Sequence, residues 1–312
     1  MYLSRNTSSL PFGKLERGSV ATIGSYDGMH LGHQKLLNRV ISIGAENNLP
    51  AVVMSFEPTP KEYFQSAAPP ARLMRFREKF AALDKYGIDL FFCPRFDEEM
   101  RGISVATFIR QLLVHGLNVR HLVVGDDFQF GRNRGGGIDD LQRAGKALGF
   151  EVEQIASVVS DGYRVSSTVI REALWKGDLD CATRLLGRPY QMSGRVMEGK
   201  KLGNTLGYPT ANVALGRKQS AVMGIFAVRV SGIDGKLLDG VASVGIRPTV
   251  GGTVPLLEVH IFDFDRDIYG EMIHVDFIAR LRSEEKFPDL DSLVAQMHKD
   301  AAQARYILEQ KN

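Results

Sequence analysis

The feature that most constrains the fold is the stretch from Thr22 to His33, where a β-branched strand end runs into a glycine-rich turn with two histidines around a glycine. Val20 to Ile23 predict a strand, and apolar residues at helical spacing begin near His33. Gly24 and Gly28 permit the tight or left-handed backbone that such a junction needs. The sequence therefore predicts a helix N-terminus at the carboxyl end of a strand.

This junction predicts a phosphate site. The first turn of a helix carries unpaired backbone N–H groups and a partial positive charge, and Gly32 lets a phosphate approach the backbone closely. His30 and His33 add side-chain donors beside it. Adenylyl transfer needs such positioned donors but no protein nucleophile. The alternative is that the histidines are ordinary surface residues, but their place directly after the first strand favours the phosphate site.

The first half of the 312-residue chain alternates short apolar strands with helical patterns, which predicts a parallel α/β sheet. The predicted strands are Val20 to Ile23, Ala51 to Phe56, Asp89 to Cys93, His121 to Val124 and Glu151 to Ile155.

After residue 187 the pattern changes to short strands between glycine-rich turns, which predicts an antiparallel sheet or a small barrel. Asp234-Gly235 is typical of a hairpin turn, and apolar residues from Leu290 to Ile307 predict one amphipathic helix. We expect two domains, residues 1–186 and 187–312. The predicted strands here are Ile225 to Val230, Val241 to Val244, Leu256 to Phe262 and Met272 to Ile278.

Composition argues against several classes of protein. A net charge of +3 is close to balanced, so charge does not imply a nucleic-acid partner. Cys93 and Cys181 show neither metal-ligand spacing nor a disulfide framework, which is typical of a reducing compartment. No apolar run reaches the roughly 18 residues of a membrane span, and the start of the chain has no signal-peptide core. We expect a cytoplasmic protein with no membrane or nucleic-acid partner, and the sequence is compatible with an oligomer.

Three further segments of the first half are candidates for ligand binding. Ser166 to Arg171 places hydroxyl groups before a helix, which is either an ordinary cap or, with Arg164 and Arg171, a triphosphate clamp. Gly125 to Gly131 offers two carboxylates and aromatic residues, either as a β-turn or as a surface for an adenine or flavin ring. Phe56 to Pro60 ends another strand. Ligands bind beyond the carboxyl ends of parallel strands, so we expect the turns after the first and fourth predicted strands to face one cleft.

In this order, the segments TIGSYDGMHLGH, SFEPTP, GDDFQFG and SSTVIR resemble the adenylyltransferase half of the prokaryotic bifunctional riboflavin kinase/FMN adenylyltransferases, also called FAD synthetases. The resemblance covers nearly the whole chain. It implies an α/β protein with an N-terminal Rossmann-like nucleotidyltransferase domain and a C-terminal antiparallel Greek-key β-barrel with a terminal helix. By this resemblance His30 and His33 are catalytic, and the loop that contacts flavin or ATP includes Asp127 and Phe128. The residues assigned to ATP or phosphate binding are Gly24, Asp27, Gly32, Arg164, Ser167, Thr168 and Arg171.

The second half carries a predicted glycine-rich loop from Gly194 to Asn212, which ends in Pro-Thr-Ala-Asn and offers backbone amides for phosphate. Taken alone, that ending is typical of a turn. The resemblance to the family's riboflavin kinase barrel instead assigns Thr210 and Asn212 to Mg-ATP binding as ligands of Mg²⁺, together with Gly203 in the loop.

Glu258 lies in a predicted strand, where a glutamate is ordinarily a solvated residue of the outer face. The resemblance assigns it as the base that accepts the proton of the ribityl 5′-hydroxyl. His260 and His274 are interpreted as structural, and Trp175 is predicted to be a packing residue rather than a stacking partner of the flavin.

The resemblance implies one polypeptide with two active sites, which phosphorylates riboflavin to FMN and adenylylates FMN to FAD with release of pyrophosphate. ATP is the co-substrate, Mg²⁺ the cofactor, and riboflavin, FMN, FAD and ATP the partners. One alternative is an aminoacyl-tRNA synthetase-like domain with an RNA-binding barrel, disfavoured by the near-neutral charge and the lack of aromatic and basic stripes. Another is a flavin-sensing module without catalysis, disfavoured by the presence of Glu258, Thr210, Asn212 and both histidines.

Overall fold

The computed structural model describes residues 1–199, 207–249 and 252–311. Residue contacts divide the chain into two compact units. Unit 1 comprises Met1–Pro70 and Met74–Val165, and unit 2 comprises Ala71–Leu73 and Ser166–Asn312. Residues 166–186, which the sequence analysis placed in the first domain, group here with the second half of the chain. The boundary at residue 186 stays a prediction.

Unit 1 is built on a six-stranded parallel sheet in the order β1-β4-β3-β2-β5-β6. Five strands confirm the predicted positions. The sixth, β1, escapes prediction because three residues are too short to show a hydrophobic period. The strands are β1 (Tyr2–Ser4), β2 (Ser19–Ile23), β3 (Ala51–Met54), β4 (Leu90–Phe92), β5 (Val119–Gly125) and β6 (Glu151–Ile155), followed by a hairpin of β7 (Val159–Ser160) and β8 (Tyr163–Arg164).

Both faces of this sheet are buried. Along β2, Val20 packs into one apolar cluster with Leu37 and Leu83, whereas Ala21 packs into another with Leu112 and Leu141. Burial on both faces explains why the strands read as continuous apolar runs. The helices are α1 (Phe12–Leu15), α2 (Leu31–Asn47), α3 (Pro60–Phe64), α4 (Phe76–Lys85), α5 (Glu98–Gly102), α6 (Val105–Thr107), which continues as a π-helix (Phe108–Gly116), and α7 (Ile138–Leu148), with 3-10 turns at Thr7–Ser9 and Arg132–Arg134.

The strand order reverses between β2 and β5. Strand β3 pairs with one side of β2. Strand β5 pairs with the other side of β2, with Thr22 opposite Val123. The turns that follow β2 and β5 therefore leave the same edge at neighbouring points. Such a switch point is where open α/β sheets bind ligands.

Unit 2 contains a closed antiparallel barrel in the order β10-β13-β12-β11-β14-β9. The arrangement β14-β11-β12-β13 is a Greek key, because three consecutive strands are joined by a fourth that lies beside the first. None of the helices in the described part of the chain is long and apolar enough to cross a membrane. The elements are α8 (Ser167–Lys176), α9 (Leu179–Leu186), β9 (Tyr190–Met197), β10 (Ala211–Ala214), β11 (Gly224–Ile233), β12 (Lys236–Thr249), β13 (Gly252–Ile261), β14 (Met272–Arg282) and α10 (Leu290–Gln310).

Two local predictions for unit 2 are confirmed. Asp234 and Gly235 form the turn between β11 and β12, with φ of 49° and 67°, and Ile233 pairs with Lys236 across it. Positive φ at both central residues is what a two-residue hairpin turn requires. Helix α10 packs its apolar stripe on the barrel, where Ala304 and Leu308 join one buried cluster.

Two predictions are wrong. The segment from Gly194 to Asn212 is not a loop throughout, because Gly194–Met197 belong to β9 and Ala211–Asn212 to β10. Gly194 is a strand glycine, and a Cβ there would lie 2.6 Å from the carbonyl oxygen of Ala214. Trp175 is not a packing residue, since it is 69% exposed on α8.

Candidate active sites

The predicted phosphate site of unit 1 begins with a histidine pair at the start of α2. His30 is the N-cap residue, and its Nδ1 accepts the backbone N–H of His33 at 3.3 Å. The rings of His30 and His33 stack with centroids 3.6 Å apart. A Cβ at Gly32 would lie 3.2 Å from the His30 ring, so the glycine leaves room for this arrangement. The two imidazoles form one packed pair at the positive end of a 17-residue helix.

The protonation of the pair follows from its contacts. Because Nδ1 of His30 accepts a hydrogen bond, the neutral ring carries its proton on Nε2 and can donate from there. Burial, followed by the charges of His30 and Lys79, holds the pKa of His33 well below its ordinary value. Nδ1 of His33 is buried and has no hydrogen-bond partner among the described residues. His33 is therefore a neutral imidazole at neutral pH.

Tyr26 packs against His33 of the histidine pair. It is fully buried with φ of 49°, its ring centroid lies 4.9 Å from that of His33, and its hydroxyl shares a 2.7 Å hydrogen bond with Thr22. Burial raises the pKa of Tyr26, so the phenol stays neutral. A Cβ at Gly24 would lie 3.1 Å from the Tyr26 ring. Gly24 therefore leaves space for the buried ring.

Two charged residues hold the turn between β2 and α2. Asp27, predicted to bind phosphate, is 7% exposed, and its carboxylate accepts the backbone N–H of Met74 at 2.8 Å. Lys79 is 3% exposed and donates from Nζ to the carbonyl oxygen of Ser25 at 2.6 Å. Lys79 escapes sequence analysis, because a lysine within an amphipathic helix is ordinarily solvated. These contacts give Asp27 and Lys79 a role in shaping the turn.

The turn after β5 brings together the predicted flavin or ATP loop and Arg164. The guanidinium of Arg164 lies 3.0 Å from carboxylate oxygens of both Asp126 and Asp127. Hydrogen bonds from Ser157, aided by Arg164, lower the pKa of Asp126. The half-buried ring of Phe128 stacks on the buried ring of Phe130, with centroids 5.6 Å apart. The loop thus presents an aromatic surface beside a charge cluster, and Arg164 is paired with carboxylates rather than extended.

The predicted hydroxyl cluster lies at the start of α8 in unit 2. Ser166 caps this helix by accepting the backbone N–H of Val169 at 3.3 Å, so the cap reading is confirmed. Ser167 and Thr168 occupy the first turn. One turn on, the guanidinium of Arg171 donates from Nε to the carbonyl oxygen of Ala71 at 2.6 Å. The phosphate role of these side chains stays a prediction.

The barrel brings together two residues that the sequence analysis assigned to the kinase reaction. Asn212 of β10 and Glu258 of β13 are register partners, so their side chains leave the sheet on the same face at neighbouring points. Both are half-buried. A Cβ at Gly199 would overlap the Asn212 carboxamide, so this glycine permits close approach of the chain there. Thr210 is half-buried and directly precedes β10, and Gly203 lies outside the described residues.

The donors at this place suit a magnesium ion. A threonine hydroxyl and an asparagine carbonyl are hard oxygen ligands, and Mg²⁺ usually takes one or two protein ligands while phosphates and water complete its shell. No group of three or more histidine, cysteine or acidic side chains placed to hold a metal is found within residues 1–199, 207–249 and 252–311. The chemistry of the donor set therefore fits Mg²⁺ bound together with ATP rather than a metal held by protein ligands alone.

The chain matches two family models in succession. The model for FAD synthetase matches residues 13–169, and the model for riboflavin kinase matches residues 186–308. The bifunctional riboflavin kinase/FMN adenylyltransferase of Haemophilus influenzae is 46% identical over 93% of this chain and 94% of its own length. The enzyme of the same description from Escherichia coli is 45% identical over 93% of both chains.

A solved structure resembles the whole chain. A protein of Streptococcus pneumoniae described as a macrolide-efflux protein superposes with a TM-score of 0.79 at 29% identity, covering 96% of each chain. At 96% coverage, this likeness extends over both units of the chain. The chain belongs to the bacterial bifunctional riboflavin kinase/FMN adenylyltransferase family.

Proposed function

We propose that the sites described above carry the two reactions of this family, one in each half of the chain. The protein is a bifunctional transferase: its FAD synthetase region adenylylates FMN to FAD, and its riboflavin kinase region phosphorylates riboflavin to FMN. ATP is the co-substrate of both reactions. The observation that carries the first assignment is the stacked His30–His33 pair capping α2 at the switch point of the sheet.

In the adenylyl transfer, a phosphate oxygen of FMN attacks the α-phosphorus of ATP, and pyrophosphate leaves. We infer that Nε2–H of His30 and backbone N–H groups in the first turn of α2, other than that of His33, donate to the phosphate oxygens on which charge develops. Neutral His33 packs against His30 and keeps that donor in place. Gly24 and Gly32 leave room for the Tyr26 and His30 rings, and Asp27 holds the turn through Met74.

Six further residues are proposed to take part in the adenylyl transfer. Ser167 and Thr168 lie within the stretch matched by the FAD synthetase model, and we infer that they bind ATP phosphates together with Arg171. Hydroxyl and guanidinium groups are suitable donors for a triphosphate. We further infer that Arg164 releases one of its two carboxylate partners and contacts a phosphate instead. Asp127 and Phe128 are proposed to contact flavin or ATP.

In the kinase reaction, Glu258 is the proposed general base. Its carboxylate accepts the proton of the ribityl 5′-hydroxyl as that oxygen attacks the γ-phosphorus of ATP, and ADP leaves. Thr210 and Asn212 would hold Mg²⁺, which, when bound, offsets the charge of the ATP phosphates. The cross-strand pairing of Asn212 with Glu258 supports this assignment, because Glu258 lies beside a proposed Mg-ATP ligand. Gly203 is proposed to line the phosphate loop.

Product analysis tests both assignments. The purified chain is incubated with Mg²⁺ and ATP, once with riboflavin and once with FMN, and the flavins are separated by chromatography. We expect FMN and then FAD from riboflavin, and FAD directly from FMN with one pyrophosphate per FAD. Absence of both FMN and FAD in the first incubation would overturn the kinase assignment. Absence of FAD in the second would overturn the adenylyltransferase assignment.

The cellular setting is a further part of the proposal. We infer a cytoplasmic location from the sparse and widely spaced cysteines, Cys93 and Cys181, which are typical of reducing compartments. Fractionation of cells that express the native chain tests this inference, and recovery of the protein outside the cytoplasmic fraction would contradict it.

A further inference from the structure

The dipeptide Tyr208-Pro209 directly precedes the proposed nucleotide ligands and is held by two histidines from other elements of unit 2. The hydroxyl of Tyr208 shares a 2.5 Å hydrogen bond with Nδ1 of His298 on α10. Nδ1 of His260 on β13 donates to the carbonyl oxygen of Pro209 at 2.9 Å. Both imidazole rings pack edge-on against the Tyr208 ring, with centroid distances of 4.9 and 5.3 Å.

Tyr208 is buried in this cluster of aromatic rings. It is 8% exposed, although the residues on either side of it, Gly207 and Pro209, are exposed. Burial raises the pKa of its hydroxyl, which therefore stays protonated at neutral pH. A buried phenol needs a hydrogen-bond partner, and His298 supplies it from 90 positions further along the chain.

The helix that carries His298 is anchored to the barrel close to that residue. Two residues on, Asp300 is 4% exposed and receives hydrogen bonds from Arg282 of β14 at 3.0 and 2.7 Å. Further along, Arg305 forms a two-bonded ion pair with Asp263 at 2.8 and 2.9 Å. His298 is therefore presented to Tyr208 from a helix whose position is set by the barrel.

We propose that Tyr208 and His298 are positioning residues for the kinase site, through which α10 holds the segment that carries Thr210 and Asn212 ready for Mg-ATP. This inference rests on the proposed kinase function. The side chain anchors residue 208, and the pairing of Ala211 with Val259 anchors the start of β10. Between these anchors lie Pro209, whose φ is restricted, and Thr210. The backbone beside the nucleotide is thus ordered before ATP arrives, and binding does not have to order it.

The central test removes the hydroxyl but keeps the ring. For Tyr208→Phe we expect the KM for Mg-ATP in riboflavin phosphorylation to rise about 3- to 10-fold, the range for one lost hydrogen bond, with kcat unchanged. His298→Leu should give the same rise. The double variant should be no worse than either single one, because both changes remove the same bond. His298→Asn, which offers an amide near the position of Nδ1, should restore most of the affinity.

Controls separate a positioning role from general damage. Tyr306→Phe removes an exposed tyrosine hydroxyl from the same helix and should leave both kinase constants unchanged. Conversion of FMN to FAD by each variant reports on the other reaction of the same polypeptide and should also be unchanged. Tyr208→Phe keeps the aromatic packing, so it tests the positioning role even if His298→Leu does not fold.

The outcomes distinguish this inference from the function on which it rests. An unchanged KM for Mg-ATP in Tyr208→Phe, in a chain whose unaltered form makes FMN, would overturn the positioning role and leave the kinase function standing. Losses that multiply in the double variant, or a fall in kcat with no change in KM, would also overturn it. If the unaltered chain makes no FMN from riboflavin, the kinase assignment falls and takes the inference with it.

Discussion

In unit 1 the histidine pair comes from one continuous turn, whereas in unit 2 Asn212 and Glu258 come from strands far apart in the chain. His30 and His33 are held by contacts with each other, with Gly32 and with Tyr26. Glu258 meets Asn212 only because β10 and β13 pair in one register of a closed barrel. The histidine pair is therefore organised mainly by local geometry and the pair of Asn212 and Glu258 by tertiary closure.

This difference predicts how each site fails. Replacing a residue of the local site should affect its own reaction and little else. The barrel site depends in addition on distant contacts that keep the barrel and α10 in place, such as the buried ion pair of Asp300 with Arg282. The four predictions below test that contrast, in order of expected effect.

The largest effect is expected at the proposed base. Glu258→Gln keeps the size of the side chain but removes the proton acceptor, so riboflavin phosphorylation should fall about 10²- to 10⁴-fold while FMN is still converted to FAD. Chromatography of flavin products measures both rates in one sample. Glu309→Gln, at an exposed position on α10, is the matched control. A parallel loss of both activities in a folded variant would refute the assignment of one reaction to each half.

The reverse pattern is expected at the histidine pair. His30→Ala removes a proposed donor to the charge that develops on phosphate, and FAD formation should fall about 10²- to 10³-fold with riboflavin kinase activity retained. His33→Ala should act in the same direction by releasing the stacked ring. His115→Ala, at an exposed position of unit 1, serves as the control. Wild-type rates of FAD formation in both variants would remove the histidine pair from the mechanism.

The third prediction concerns the tertiary support of the barrel. Asp300→Ala leaves the Arg282 guanidinium, which is 17% exposed, without its carboxylate and should destabilise unit 2 by about 3–5 kcal/mol. Denaturant unfolding followed by circular dichroism measures this loss. We expect kinase activity to be lost at a lower temperature than in the unaltered chain. Asp263→Ala breaks an ion pair whose aspartate is 79% exposed and should cost far less. Equal losses in the two variants would contradict the contrast between buried and exposed pairs.

The smallest effect is a pH dependence of stability. The folded state holds the pKa of His33 below 6.5, so between that value and the lower folded pKa the unfolded chain binds a proton that the folded chain does not. The stability associated with neutral His33 is therefore present above pH 6.5 and is lost as pH falls, by up to about 1.4 kcal/mol per pH unit. Melting temperatures between pH 7.5 and 5 should fall less steeply for His33→Gln than for the unaltered chain. Identical slopes would show that His33 does not titrate differently on folding.

Much of the fold could be predicted from local patterns. Five strands of unit 1, the Asp234-Gly235 turn and α10 agree with the sequence analysis, because hydrophobic period and turn chemistry act over a few residues. The strands β9 and β10 were harder to predict. Gly194 lies within β9, and Pro209-Thr210 directly precede β10; these residues locally indicate turns, and only pairing within the barrel makes the segments strands.

The features of the two sites also divide into those that the sequence predicts and those that only the structure shows. From the residues around them, the sequence predicts a phosphate site at His30 and His33, whereas the role predicted for Glu258 comes from the family resemblance. The buried contacts of Asp27 and Lys79, and the pairing of Arg164 with two carboxylates, could not be read from the chain. Each joins residues many positions apart, so no spacing rule indicates it.

The amino-acid order by itself determined the class of each half, the glycine-rich turn that opens α2 and the residue types for two phosphate-transfer reactions. These features depend on backbone preferences and hydrophobic period, which neighbouring residues decide. Only the tertiary structure decided that Asn212 lies opposite Glu258, that Tyr208 meets His298 and that Trp175 is exposed. Those outcomes depend on strand register and barrel closure, which arise from packing between distant segments of the chain.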